Sequence, residues 1–125
     1  LQGFEHLFKS YDIDDLVDEI ASADPPAYLR RCFAEGLSSP KLSFARIQQL
    51  AACAVVLDAV VHGRDYEGLE PELIADWRAH DGASFQALLP VADKALRRAG
   101  EQESALADPQ IVSELHELQQ RLAAS

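Results

Sequence analysis

Apolar residues recur along this chain at helical spacing, and nowhere in the strict alternation of a half-buried strand. Ile13, Leu16, Val17 and Ile20 stand at i, i+3, i+4 and i+7, one stripe of an amphipathic helix that Asp12 can cap and that ends before Pro25. Asp24-Pro25 restarts a helix with a capping carboxylate and a proline in the first turn, where its missing N–H costs nothing. Leu29, Cys32 and Phe33 form its apolar face, and Gly36 is the expected C-terminal stop. The third and longest helix is predicted from Ser39-Pro40 to about His62, with Gly63 as its left-handed terminator. Its stretch LAACAVVLDAVV, Leu50 to Val61, is apolar on nearly every side, so other helices must surround it.

Beyond it, PELIADWRAH predicts a shorter helix with Leu73, Ile74 and Trp77 inward, broken at Gly82. SFQALLPVADKALRRAG carries Phe85, Leu88, Leu89, Ala92, Leu96 and Ala99 at helical spacing and stops at Gly100. Pro90 inside it requires either a kink or a helix that begins near Leu89. Asp108-Pro109 repeats the start signal for a closing helix with Ile111, Leu115, Leu118 and Leu122 down one side. The expected fold is all-α: one domain over residues 1–125, a compact bundle of about five to six helices around a central apolar helix at about 40–62. Its 48% hydrophobic residues suffice to bury a core without disulfide or metal staples. No low-complexity tract, dividing linker or fixed repeat period interrupts it. Trp77 is expected in the core instead of as a partner-facing anchor, and Asp58, interrupting the apolar run, must be paired or sit where the helix emerges.

Charge changes the picture. The chain carries 21 acidic against 11 basic residues, a formal net charge of -10. A surface of that sign repels phosphate backbones and anionic lipid, so nucleic acid and membrane are not expected partners. The longest strongly apolar run, Leu50 to Leu57, also falls short of the ~20 residues of a bilayer span. Leu1 to Ser10 lacks the basic-then-apolar pattern of a secretory signal, and with no methionine in the chain Leu1 is not expected to be the natural start. A cytoplasmic location is expected. Within YDIDDLVDEI, Tyr11 to Ile20, five carboxylates occupy eight positions without a Lys or Arg. The apolar stripe of that helix leaves Asp14, Asp15, Asp18 and Glu19 on the opposite side. Asp14 with Asp18 and Asp15 with Glu19 are like-charge i, i+4 pairs costing about 0.2–0.5 kcal/mol each, although the helix N-terminus offsets this for Asp14 and Asp15.

Such a run is either a solvated helix flank or a docking face. The flank is the commoner outcome for a charge run, but a surface serving solubility alone would intersperse Lys and Arg, so the missing compensation raises the reading of a face that steers and holds a basic partner. Arg30-Arg31 would weaken that reading if the second helix packed them against the first. DDLVD also spells D-D-x-x-D, the magnesium pattern of isoprenoid synthases, but those enzymes need a larger bundle, a second metal motif and basic residues for the diphosphate. A calcium loop lacks its glycine and closing glutamate. The four histidines show no H-x-x-x-H pairing, and neither a nucleophile elbow nor a phosphate-cradling glycine loop is present. Cys32 and Cys53, without C-x-x-C spacing, read as buried free thiols in a reducing compartment. No catalytic residue, metal site or cofactor is expected.

FKSYDIDDLVDEI, LAACAVVLDAVVHG, PELIADW and ADKALRRAGEQESAL, in this order, resemble segments of a family of small acidic bacterial all-helical domains of uncharacterised function. Members of that family open with Trp-Gly-x-Gly-x-Phe, of which only the following acidic part has a counterpart here. The resemblance implies an all-helical fold and no catalytic residues. In size and charge such domains are similar to immunity proteins that protect bacteria from antibacterial toxins, many of them basic nucleases. The expected function is therefore a non-enzymatic, immunity-like protein-binding domain that engages a basic protein, a toxin among the candidates, through Asp14, Asp15, Asp18 and Glu19. The alternative is a self-association module, a homodimer through Ile111, Leu115, Leu118 and Leu122. A divalent-metal-dependent enzyme using the Asp-rich helix ranks third.

Overall fold

Four helices of this protein begin at a side chain that accepts an otherwise unpaired backbone N–H. Asp12 takes that of Asp14 at 3.0 Å, Asp24 that of Ala27 at 3.3 Å, Ser43 that of Arg46 at 3.2 Å and Asp108 that of Gln110 at 2.9 Å. They start α1 (Ile13–Ala21), α2 (Pro25–Ser38), α3 (Phe44–His62) and α7 (Pro109–Ala123). Between α3 and α7 lie α4 (Pro71–Gln86), α5 (Leu89–Gly100) and the single turn α6 (Glu103–Leu106). The computed structural model describes residues 1–124, and among them the fold is all-α, with seven helices and no strand.

The helix α3 is the centre, with α2, α4, α5 and α7 packed around it and α1 at one edge against α2 and α3. From Leu50 to Val60 every residue of α3 is buried. At 19 residues and mean hydropathy 1.6, α3 passes the length and composition of a bilayer span, so the shortness of its apolar run is not what separates it from one. Here 72% of that window is enclosed by the rest of the protein. Ahead of α1, the turns of residues 1–10 fold back so that Phe4, Leu7 and Phe8 enter the same core.

Two boundaries differ from the sequence expectation, each for a tertiary reason. Gly36 does not stop α2, which runs on to Ser38. It is buried where α2 crosses α3, and a Cβ there would stand 2.7 Å from Leu50 Cδ2, so glycine serves a close helix approach. The helix α3 starts at Phe44 and not near Pro40. Side chains of the C-terminal half hold the preceding segment in a non-helical path: Arg98 Nη1 donates to Gly36 O at 3.3 Å and Arg98 Nη2 to Ser39 O, Gln102 Oε1 accepts from Leu42 N at 3.0 Å, and Ser104 Oγ donates to Leu42 O at 2.8 Å. The break expected at Gly82 falls at the neighbouring Asp81. The helix bends at Asp81 (φ -135°, ψ 22°) and continues, bringing Phe85 onto Trp77 with ring centroids 6.4 Å apart. Trp77 is a core residue, and of the two outcomes open at Pro90 the helix beginning at Leu89 is the one observed.

Candidate functional site

The stripe of α1 decides which way its carboxylates face. Leu16, Val17 and Ile20 are buried, and Asp14, Asp15, Asp18 and Glu19 are all exposed on the other side. Asp14 and Asp15 lie in the first turn, where the helix dipole favours them. Glu19 accepts a hydrogen bond from Tyr28 Oη of α2 at 2.7 Å. Partial burial and then this bond push the Tyr28 phenol up to about 12. Among the described residues none of the four carboxylates is in an ion pair, while some acids elsewhere are, among them Glu35 with Arg46 at 3.5 Å, Asp93 with Arg97 at 3.0 Å and Glu117 with Arg121 at 3.5 Å. Arg30 and Arg31 do not compensate α1, and Arg31 lies over the Tyr28 ring instead, 5.5 Å from its centroid. No group of three or more His, Cys, Asp or Glu among the described residues is placed to hold a metal ion, the D-D-x-x-D carboxylates included.

A second polar constellation gathers at the C-terminal end of α3. Asp58 is fully buried, the more demanding of the two situations open to it. Its Oδ1 pairs with His62 Nδ1 at 2.7 Å, one turn on, and with Arg64 Nη1 at 2.6 Å, and Tyr66 Oη donates to Oδ2. Every oxygen of the buried carboxylate is thus partnered, two of the partners being cationic or able to become so. Arg64 Nη1 also donates to Arg121 O at 2.6 Å, tying the loop after α3 to the end of α7. Arg121 lies 4.7 Å from the Phe4 ring centroid and 5.7 Å from that of Tyr66. Burial, and next the bond to Asp58, raise the Tyr66 phenol to about 12.

Beside this cluster opens a cleft of about 160 Å³ lined by Gly63, Arg64, Asp65, Tyr66, Ile74 and Arg78. Arg78 is already engaged, donating to Val60 O at 2.7 Å and Ala59 O at 3.0 Å and so satisfying the last carbonyls of α3. Gly63 (φ +70°) supplies the left-handed residue that ends α3, as expected, and any Cβ there would meet Arg78 Nη2 at 3.0 Å. An Asp–His pair is the orienting half of a nucleophilic triad. Among the described residues the one side-chain hydrogen bond of His62 runs through Nδ1 to Asp58. The cluster satisfies a buried charge and locks α3, the 63–66 loop and α7 together.

Two further features escaped sequence reasoning. Glu114 is buried on the apolar face of α7, where Oε1 accepts from Leu7 N at 2.9 Å and Oε2 pairs with His6 Nδ1 at 2.8 Å. From α3, Gln48 Nε2 donates to Leu7 O at 3.1 Å and Lys9 O at 3.0 Å. Together they fasten the N-terminal turns. A signal existed, since Glu114 falls on the 111–115–118 stripe, where a carboxylate needs a partner. Cys32 and Cys53 are buried and free, and their sulfurs lie 3.3 Å apart, a proximity that no spacing announced.

The face proposed for a homodimer is occupied within the chain. Ile111, Leu115, Leu118 and Leu122 are all buried, with α7 packed on α3, α5 and α6. Fold and surface together define an all-α helical bundle carrying an uncompensated carboxylate face. The chain matches no family model, no curated protein and no solved structure.

Proposed function

We propose that this protein is a non-enzymatic binding domain of bacterial, cytoplasmic type, immunity-like in character, that docks a basic protein through Asp14, Asp15, Asp18 and Glu19. The observation that carries this reading is that all four carboxylates are exposed together on one flank of α1 and, among the described residues, none of them is in an ion pair. Stacked like charges raise the local negative potential, which accelerates and orients the approach of a basic surface. A toxin with a basic nucleic-acid-binding groove presents such a surface. Exchange of Asp14, Asp15 and Asp18 for Asn tests it, with Asp12 left in place as the helix cap. The triple variant is expected to keep the circular dichroism and melting behaviour of the parent. It should fail to retain the basic protein that the parent captures at low salt and releases at high salt, since screening shortens the reach of these charges to about 3 Å at 1 M. Equal capture by both proteins, or capture that salt does not weaken, overturns the proposal.

A further inference from the structure

The helices α2 and α3 bring two thiols into contact that are 21 positions apart in sequence. Cys53, fully enclosed within α3, donates a hydrogen bond through its thiol to Cys32 Sγ at 3.3 Å. We propose that Cys32 and Cys53 are a dithiol modification site, which a small hydroperoxide oxidises to an intramolecular disulfide that bolts α2 to α3. The sulfurs must close by about 1.3 Å to reach bonding distance.

Cys32 is the attacking member. The hydrogen bond from Cys53 holds its thiol below the ordinary range against the opposing effect of burial, and Arg46 adds to the lowering. Acting as donor, and then burial, push the Cys53 thiol well above its usual value. Cys32 is also the member that retains a trace of solvent exposure, at 4%. One turn before it on α2 stands Tyr28, and one turn before Cys53 on α3 stands Gln49, which with Tyr11 and Glu19 lines a surface cleft between α1 and α3.

In the first step the Cys32 thiolate attacks one peroxide oxygen. The O–O bond breaks, a sulfenic acid forms, and the departing hydroxide leaves as water with the proton Cys32 gave up. In the second step Cys53 sulfur attacks the sulfenic sulfur. The S–S bond forms, the S–O bond breaks, and the hydroxyl leaves as water with the Cys53 proton. Two thiols and one hydroperoxide thus give one disulfide and, for hydrogen peroxide, two waters, the two electrons passing from sulfur to oxygen.

The test treats the fully reduced protein in native buffer with hydrogen peroxide. The expected result is a mass loss of about 2 Da, disappearance of both free thiols on denaturation, and a non-reduced peptide map joining the Cys32 and Cys53 peptides. The thermal midpoint should rise by roughly 10 °C and return on reduction, because the bridge closes a loop of some twenty residues. In Cys53→Ser, which keeps a hydrogen-bond donor beside Cys32 but cannot form the bridge, the same treatment should leave a sulfenic acid at Cys32 that dimedone captures. The parent's mass and peptide map decide the matter even where that variant folds poorly. No mass change, addition of oxygen without a cross-link, or bridging between molecules instead of within one overturns the proposal.

Discussion

Replacing Gly36 by Ala sets helix propensity against packing. In an unhindered helix interior the exchange stabilises by about 1 kcal/mol. At this position the new methyl would stand 2.7 and 2.8 Å from Leu50 Cδ2 and Cδ1 and 3.3 Å from Leu50 Cγ. Leu50 is completely buried in the centre of α3, so its side chain has no solvent to swing into. Overpacking of this kind costs about 1–3 kcal/mol, and three simultaneous close contacts place it in the upper half of that range. Packing therefore wins, with a net loss of about 1–2 kcal/mol. Trp77, buried against Phe85, reports the transition in urea, and the midpoint should fall by about 0.5–1 M at unchanged slope. The sign should invert in a Leu50→Ala background. That change costs about 2–5 kcal/mol alone but removes the obstacle, so Gly36→Ala should then stabilise by up to about 1 kcal/mol. A Gly36→Ala protein as stable as the parent would refute the claim that α2 and α3 approach too closely for a side chain at position 36. Failure of the inversion would place the loss elsewhere, for instance in the Arg98 bond to Gly36 O.

Asp58→Ala strips the acceptor from Arg64, His62 and Tyr66 at once and should cost about 3–5 kcal/mol in urea unfolding, whereas a loss under about 1 kcal/mol would mean that water replaces the carboxylate. Glu114→Ala should release the N-terminal turns without melting the bundle. Amide exchange at Leu7 would then speed up by at least about tenfold while α3 amides keep their protection, and unchanged exchange at Leu7 would show that Gln48 and the buried Phe4 and Leu7 suffice. Tyr66 and Tyr28, both with phenols raised to about 12 from an ordinary value of 10, hold their protons longer in the folded protein. Their contribution to stability is complete below pH 10 and is lost as the pH rises through about 12, so thermal midpoints should decline across that window. Tyr66→Phe should flatten part of the decline while lowering stability at neutral pH, and an equally steep decline in that variant would remove Tyr66 from the account.

Helix starts were legible because they are local chemistry. An Asp or Ser that accepts an N–H two or three residues ahead needs nothing from the rest of the chain, and Asp12, Asp24 and Asp108 all cap where the sequence places them. The enclosure of α3 was equally legible, since a helix apolar on every side has only one stable surrounding in water. The exposed flank of α1 followed from the same periodicity, as did the need of Asp58 for partners.

Contacts between segments distant in the chain decided the rest. Whether Gly36 ends a helix or permits a crossing depends on Leu50. Where α3 begins depends on Arg98, Gln102 and Ser104, some sixty residues onward. The partners of Asp58 lie partly in a loop with no periodicity to read, and the closure of that cluster requires the backbone of Arg121. The meeting of Cys32 with Cys53 and the fastening of Leu7 by Glu114 belong to the same class. Local sequence sets which backbone states are cheap, and only the packed fold sets which side chains arrive within hydrogen-bonding distance of one another.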